Sequence, residues 1–239
     1  MAKGGFTTGC LYKTERGLEE IIKLYHALGA DAIEVSFPKH LELMNFNLTQ
    51  QTIQDIRKYD FVTLHAPWKE IRYKDNIETK KLFEKLEYLS ENLNAKGIVL
   101  HPDTIDDFSV LEKSGLPFLL ENMDPRKVFG TKAEDFEKLK QNYNLGFVLD
   151  LFHAYENDNS MNLAIQFLDI MGNKLSHFHV SGPNEEHRHK PTYSSTNKDS
   201  IIKILELKKE IPRISEGIIL SNVEEVIRKE LEFLKNVAV

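Results

Sequence analysis

The 239 residues carry a net charge of −6 and are 41% hydrophobic, which fits a soluble globular chain with a real core. That balance suggests no broad electrostatic grip on nucleic acid or on an anionic membrane, although a local basic rim can sit inside an acidic total. The single cysteine, Cys10, excludes an internal disulfide and fits a reducing compartment; with no run of about 18 apolar residues to span a membrane and no secretory core in the opening MAKGGFTTG, a cytoplasmic location is expected.

The first apolar run, GGFTTGCLY at 4–12, has the length and composition of a buried strand. In RGLEEIIKLYHALGA, Leu18, Ile21, Ile22, Tyr25 and Leu28 then share one helical stripe that stops at Gly29. Strands are expected at 31–37 and 61–67, followed by a helix over 78–95 with Leu82, Leu86 and Leu89 on its apolar face. The strand at 97–103 precedes only a short helical segment, DFSVLEK. A further strand at 117–123 leads to a helix opened by a capping box, Thr131 with Glu134. Runs at 146–153, 175–182 and 213–219 complete the strands, and a second box, Ser221 with Glu224, opens the last helix.

Eight strand candidates alternating with eight helical stretches predict parallel strands with right-handed crossovers. At this length the pattern favours one α/β domain over 1–239, a (β/α)8 TIM barrel, above an open doubly wound sheet. No G-x-G-x-x-G follows the first strand, which argues against a dinucleotide-binding sheet. The longest unpatterned stretch, 181–197, follows the seventh strand and holds His187 and His189.

Catalytic groups of such a barrel come from the C-terminal ends of its strands. Those ends carry Glu34, His65, His101, Glu121, Asp150 with His153, His179 and Glu216. Carboxylates crowded at one rim repel, and cations are their natural neutraliser. Imidazole mixed with carboxylate and no thiolate suits zinc, manganese, iron or cobalt better than magnesium or calcium. His65, His101, Glu121, Asp150, His153, His179, His187, His189 and Glu216 are too many ligands for one ion. They suit two or three, with one carboxylate bridging. His177 shares a strand face with His179 and is expected one layer deeper, orienting a ligand. Cys10 reads as buried filler; His26, inside a helix, and His40, in a loop, lie away from the rim.

In this strand order the ligands resemble those of the xylose-isomerase-like TIM barrels, and within them of endonuclease IV, the zinc enzyme that cuts DNA at abasic sites. The resemblance runs the whole chain. It implies metal histidines at His65 and His101, a bridging Glu in the pair Glu121–Asn122, and the Leu-Asp-x-x-His motif at Leu149–His153. It implies further ligands at His179 and Glu216. Two positions depart from the pattern: His187 stands where the loop motif Asp-x-His has its Asp, and Val180–Ser181–Gly182 follows where an Asn-Asp pair is common. Trp68, three residues after His65, occupies the place of an aromatic that inserts into DNA, or serves as a hydrophobic lid over any substrate.

Two chemistries follow from the resemblance. A multinuclear zinc site implies phosphoester hydrolysis, with Glu121 bridging, His65 and His101 on the exposed ion, Asp150 and Glu216 on the buried one, and His187 with His189 completing a third. A single manganese or other divalent ion on Glu121, Asp150, His179 and Glu216 implies sugar isomerisation or epimerisation. There Glu121 and Glu216 would exchange the proton and His153 would contact the sugar. Glu34, which ends strand two within GADAIEVSF, resembles the isomerases, and Arg188 would hold a hydroxyl or phosphate. The expected substrates are abasic-site DNA or a small sugar phosphate. No membrane and no obligate protein partner are indicated.

Overall fold

Alternation along each strand decides which side chains enter a barrel, because successive Cβ atoms point to opposite faces. The computed structural model describes residues 2–183 and 189–236. Its strands are β1 (Gly4–Thr7), β2 (Ala32–Ser36), β3 (Phe61–His65), β4 (Ile98–Leu100), β5 (Phe118–Glu121), β6 (Gly146–Asp150), β7 (Leu175–Val180) and β8 (Arg213–Ser215). They pair in sequence order, all parallel, and β8 closes onto β1. The chain forms the (β/α)8 barrel expected.

Ten α-helices occur among the described residues: α1 (Leu18–Ala27), α2 (His40–Asn45), α3 (Gln50–Ile56), α4 (Ile77–Leu93), α5 (Ser109–Ser114), α6 (Ala133–Asn142), α7 (Leu151–Asn157), α8 (Asn162–Met171), α9 (Lys198–Leu207) and α10 (Val223–Asn236). The units after β2 and β6 each carry two helices where one was expected, and His40 opens α2 rather than lying in a plain loop. In α1 the apolar stripe packs on the sheet, with Ile21, Ile22 and Tyr25 buried. Gly29 reverses the chain behind it at φ +96°, a conformation that disfavours any side chain. Asn76 caps α4 by accepting from the Thr79 amide at 2.8 Å. No helix among the described residues is long and apolar enough to cross a membrane.

Local chemistry corrects several boundaries. β1 ends at Thr7 rather than Tyr12, because a 3-10 turn over Thr8–Leu11 takes over there and buries Cys10. β6 stops at Asp150 rather than His153, because the Asp150 carboxylate accepts from the His153 amide at 2.7 Å and starts α7. Neither expected capping box forms. The cap residue of α6 is Lys132, one place past Thr131, and α10 begins at Val223, one residue too late for a box on Ser221.

Inward positions divide the barrel interior. Val99, Leu119 and Val148 form an apolar cluster separate from the main core between sheet and helices. On the opposite side the interior is polar, with Glu34, Thr63 and His177 buried. Two residues further along the strands, at the C-terminal mouth, stand His65, His101, Glu121, Asp150 and His179. Gly5 keeps β1 close to β2: a Cβ there would lie 1.7 Å from the Ala32 carbonyl oxygen.

The return of the long loop after β7 is tied to the barrel by one buried carboxylate. Glu230 of α10 accepts from the amides of Thr192 and Tyr193 and from the Ser215 hydroxyl, each at 2.9 Å. Removing it leaves two buried donors and one part-buried donor unpaired. Glu230→Ala is therefore expected to lower stability by about 3 kcal/mol, measured by urea unfolding; a loss under about 1 kcal/mol would mean that water replaces the carboxylate.

Candidate metal centre

Glu121 ends β5 at the centre of the mouth and is buried. Its two oxygens face different neighbours. Oε2 lies 3.3 Å from His65 Nε2 and 3.3 Å from His101 Nε2. Oε1 lies 3.0 Å from His179 Nδ1 and 3.6 Å from His153 Nδ1. His179 Nδ1 is also 3.5 Å from Glu216 Oε1. Two groups with ligand atoms within 4.8 Å of one another share this carboxylate: His65, His101 and Glu121, and Glu121, Asp150, His179 and Glu216.

The backbone fixes these positions. Asn122 clasps β6, donating to the Asp150 carbonyl at 2.9 Å and accepting from the Asp150 amide at 2.7 Å. Asp150 uses Oδ1 to cap α7, while its buried Oδ2 has no hydrogen-bond partner among the described residues. A buried carboxylate oxygen left unpaired is costly unless a cation takes it. His153 donates through Nδ1 to the Asn122 carbonyl at 2.9 Å, leaving Nε2 free.

Charge in the cluster is strongly biased. Burial raises the Glu121 carboxyl, but the charge of His179 and hydrogen bonds from His101, His179 and His65 hold it well below its usual range. Burial also opposes charge on His179; the carboxylates of Glu34, Glu216 and Glu121 overcome it and hold that imidazole well above its ordinary value. Burial pushes Glu216 well up, His179 pulls it back, and Glu121, Asp150 and Glu34 push it further. Glu34, Glu216 and Glu121 all act on His179, and Asp150 and Glu121 raise His153 against its burial; a bound cation would relieve the repulsion among these acids. Nitrogen and oxygen donors, a shared carboxylate and an unpaired buried oxygen fit zinc or a similar divalent ion.

The other expected residues fall as follows. Trp68 lies against the two outer imidazoles, its ring centroid 4.6 Å from that of His65 and 5.5 Å from that of His101. His189 packs edge-on to Phe152 and His153, and its Nδ1 is 2.9 Å from the Ser181 hydroxyl and 3.4 Å from Glu216 Oε2. His187 and Arg188 lie outside the described residues. Glu34 is fully buried below His179, where Thr63 and His179 occupy its Oε2, and it offers a ligand atom within 4.8 Å of those of His65 and Glu216 at the mouth. Ser181 was missed, although it follows His179 by two, just past the end of β7, and the period that marked His177 also marks it.

Fold and site together define a TIM barrel with two groups of His, Glu and Asp side chains that could hold metal ions, sharing Glu121, at the C-terminal mouth. The chain belongs to the xylose isomerase-like TIM barrel family, whose profile its residues 59–237 match. An uncharacterized protein of Methanocaldococcus jannaschii is 24% identical, covering 95% of this chain and all of the relative. Endonuclease IV from Thermus thermophilus superposes with a TM-score of 0.71 at 16% identity, covering 96% of this chain and 99% of that one. The 3-keto-D-glucoside 4-epimerase of E. coli superposes equally well, TM-score 0.71 at 17% identity, over 99% and 100%. At these identities the likeness is one of fold, shared by a nuclease and a sugar epimerase.

If the cluster holds zinc, the metal stabilises the fold by mass action. At a hundred times its Kd it adds about 2.7 kcal/mol to the unfolding free energy. Asp150→Asn, which weakens that site at least tenfold, is expected to lose about 1.4 kcal/mol of the gain. Thermal unfolding with and without zinc checks this; equal gains for both proteins would remove Asp150 from the site.

Proposed function

We propose that the protein is a zinc-dependent phosphoester hydrolase with a two-ion centre bridged by Glu121. The observation that supports this reading is the division of the Glu121 carboxylate between two ligand sets. A one-ion isomerase uses only the inner set, and the buried pair His65 and His101 would then have no task. His65, His101 and Glu121 Oε2 would hold one ion; Glu121 Oε1, Asp150, His179 and Glu216 would hold the other. A third ion would need His189 together with His187, which lies outside the described residues.

Zinc in such a pair supplies Lewis-acid stabilisation of phosphoryl oxygens and lowers the pKa of water. The protein's own groups do the rest. Glu121 fixes the spacing of the two donor sets. Trp68 covers His65 and His101 and keeps bulk water from that side of the mouth. His153, held through Nδ1 by the Asn122 carbonyl, would use Nε2 to hold a proton on a leaving oxygen. Glu216, its side chain 16% exposed, faces the mouth from β8. The substrate class is a sugar phosphoester, either in abasic-site DNA or in a small sugar phosphate.

A second reading has its own support. Glu121, Asp150, His179 and Glu216 form a complete set for one divalent ion, manganese included, without His65 or His101. That set would serve a sugar isomerase or epimerase in which Glu121 and Glu216 move the proton.

One variant tests the carboxylate that both readings need, and a second separates them. Glu121→Gln keeps the side chain's shape and removes its charge, and is expected to lower kcat/KM at least a hundredfold, roughly 2.7 kcal/mol of lost transition-state stabilisation. The His65→Ala, His101→Ala double variant should drop from two zinc ions per chain to one, by elemental analysis, and lose phosphoester cleavage. Full interconversion of ketose and aldose sugars by that double variant, with cleavage absent in the parent protein, would falsify the hydrolase reading.

A further inference from the structure

His179 is the only imidazole among the described residues whose two nitrogens face two different carboxylate groups. Nδ1 faces the mouth, at 3.0 Å from Glu121 and 3.5 Å from Glu216. Nε2 faces the barrel interior, hydrogen-bonded to Glu34 Oε2 at 3.3 Å and 3.2 Å from Oε1. Glu34 is fully buried, and no step proposed above uses it.

Its surroundings hold that carboxylate in one orientation. Thr63, inward on the adjacent β3, donates its hydroxyl to Glu34 Oε2 at 2.8 Å. His177, two residues before His179 on β7, brings Nε2 within 3.3 Å of the same oxygen and 3.2 Å of His179 Nε2. Its Nδ1 is 3.1 Å from the Ser176 hydroxyl, which can donate to it. A consistent proton assignment follows. His177 carries its proton on Nε2 and accepts at Nδ1; with a cation bound, His179 would keep its Nε2 proton, directed at Glu34, and give up the Nδ1 proton that it offers to Glu121 otherwise.

We infer that Glu34 is a positioning residue: by accepting the Nε2 proton of His179 it fixes the tautomer that leaves the Nδ1 lone pair directed at the metal centre. An imidazole can give a lone pair to a metal only at the nitrogen without a proton, and an acceptor on the other nitrogen decides which that is. The carboxylate also makes the ring a stronger donor and sets its orientation. This inference rests on the metal centre proposed above, but not on which reaction it serves, since His179 belongs to the ligand set of both readings.

The test reads the proton directly. In the zinc-loaded protein, a ¹H–¹⁵N correlation through the His179 ring is expected to show the proton on Nε2 and none on Nδ1. Glu34→Gln, which keeps shape and removes charge, is expected to weaken zinc at the Asp150–His179–Glu216 set by about ten- to a hundredfold. Affinity at His65 and His101 should stay unchanged, by competition with a chelator. A Nε2 without a proton overturns the assignment, because the ring would then carry its proton on Nδ1 or meet zinc through Nε2. Unchanged zinc affinity in a folded Glu34→Gln protein overturns it too. Should that variant fail to fold, the ring correlation in the parent protein decides alone. A parent protein that binds no zinc overturns the metal centre itself and this role with it, an outcome distinct from a zinc-loaded protein with the wrong tautomer.

Discussion

One carboxylate organises the mouth of this barrel. Glu121 is buried among imidazoles that approach it from β3, β4 and β7, and each of its oxygens is committed to a different set. In a low-dielectric interior an unpaired carboxylate would be driven to take up a proton. Here the surrounding histidines keep it ionised, while the neighbouring Glu216 is pushed the other way. Every other feature of the site either presents a ligand to that carboxylate or holds one that does. Asn122 and the Asp150 cap join β5 to β6, and Trp68 closes over the outer pair.

Beneath this layer the barrel is divided. Its β4–β6 side is filled by Val99, Leu119 and Val148 in the manner of an ordinary packed core. Its β2, β3 and β7 side holds a carboxylate, a hydroxyl and an imidazole, all buried. Buried polar groups are costly and persist where their hydrogen bonds are made among themselves. The polar half lies directly below His179, and the apolar half below the β5 and β6 ligands, whose own backbone contacts hold them. The barrel thus supports its candidate metal-binding side chains by two means: clasped backbone on one side and a hydrogen-bonded under-layer on the other.

The edge of the mouth formed by the loop after β7 depends on α10, the last helix. Glu230 holds Thr192 and Tyr193 against Ser215, and Gly182 pairs with Lys190 through two backbone hydrogen bonds of 2.8 Å. Gly217 permits this approach, because a Cβ there would lie 2.5 Å from the Pro191 nitrogen. His189 itself is set by Ser181 just past β7, by Phe152 and His153 of α7, and by Glu216 and the Ile218 amide after β8.

The sequence by itself determined the barrel. Eight apolar runs spaced by helical stripes leave few other ways to bury their faces, and the period of two within each run put His65, His101, Glu121, Asp150 and His179 at equivalent strand ends. Boundaries were less legible. Whether Thr131 or Lys132 precedes the helix, or whether Asp150 extends a strand or caps α7, is settled by competing local hydrogen bonds of similar strength. The depth of Glu34 was also hidden. Its place at a strand end matched that of the ligands, and only the stagger of neighbouring strands decides that it falls one layer lower, beside Thr63 and His177. The division of Glu121 between two ligand sets belongs to the tertiary structure alone. Sequence spacing can bring residues to one rim, but which oxygen faces which imidazole depends on strand twist and closure, and these act between residues far apart in the chain.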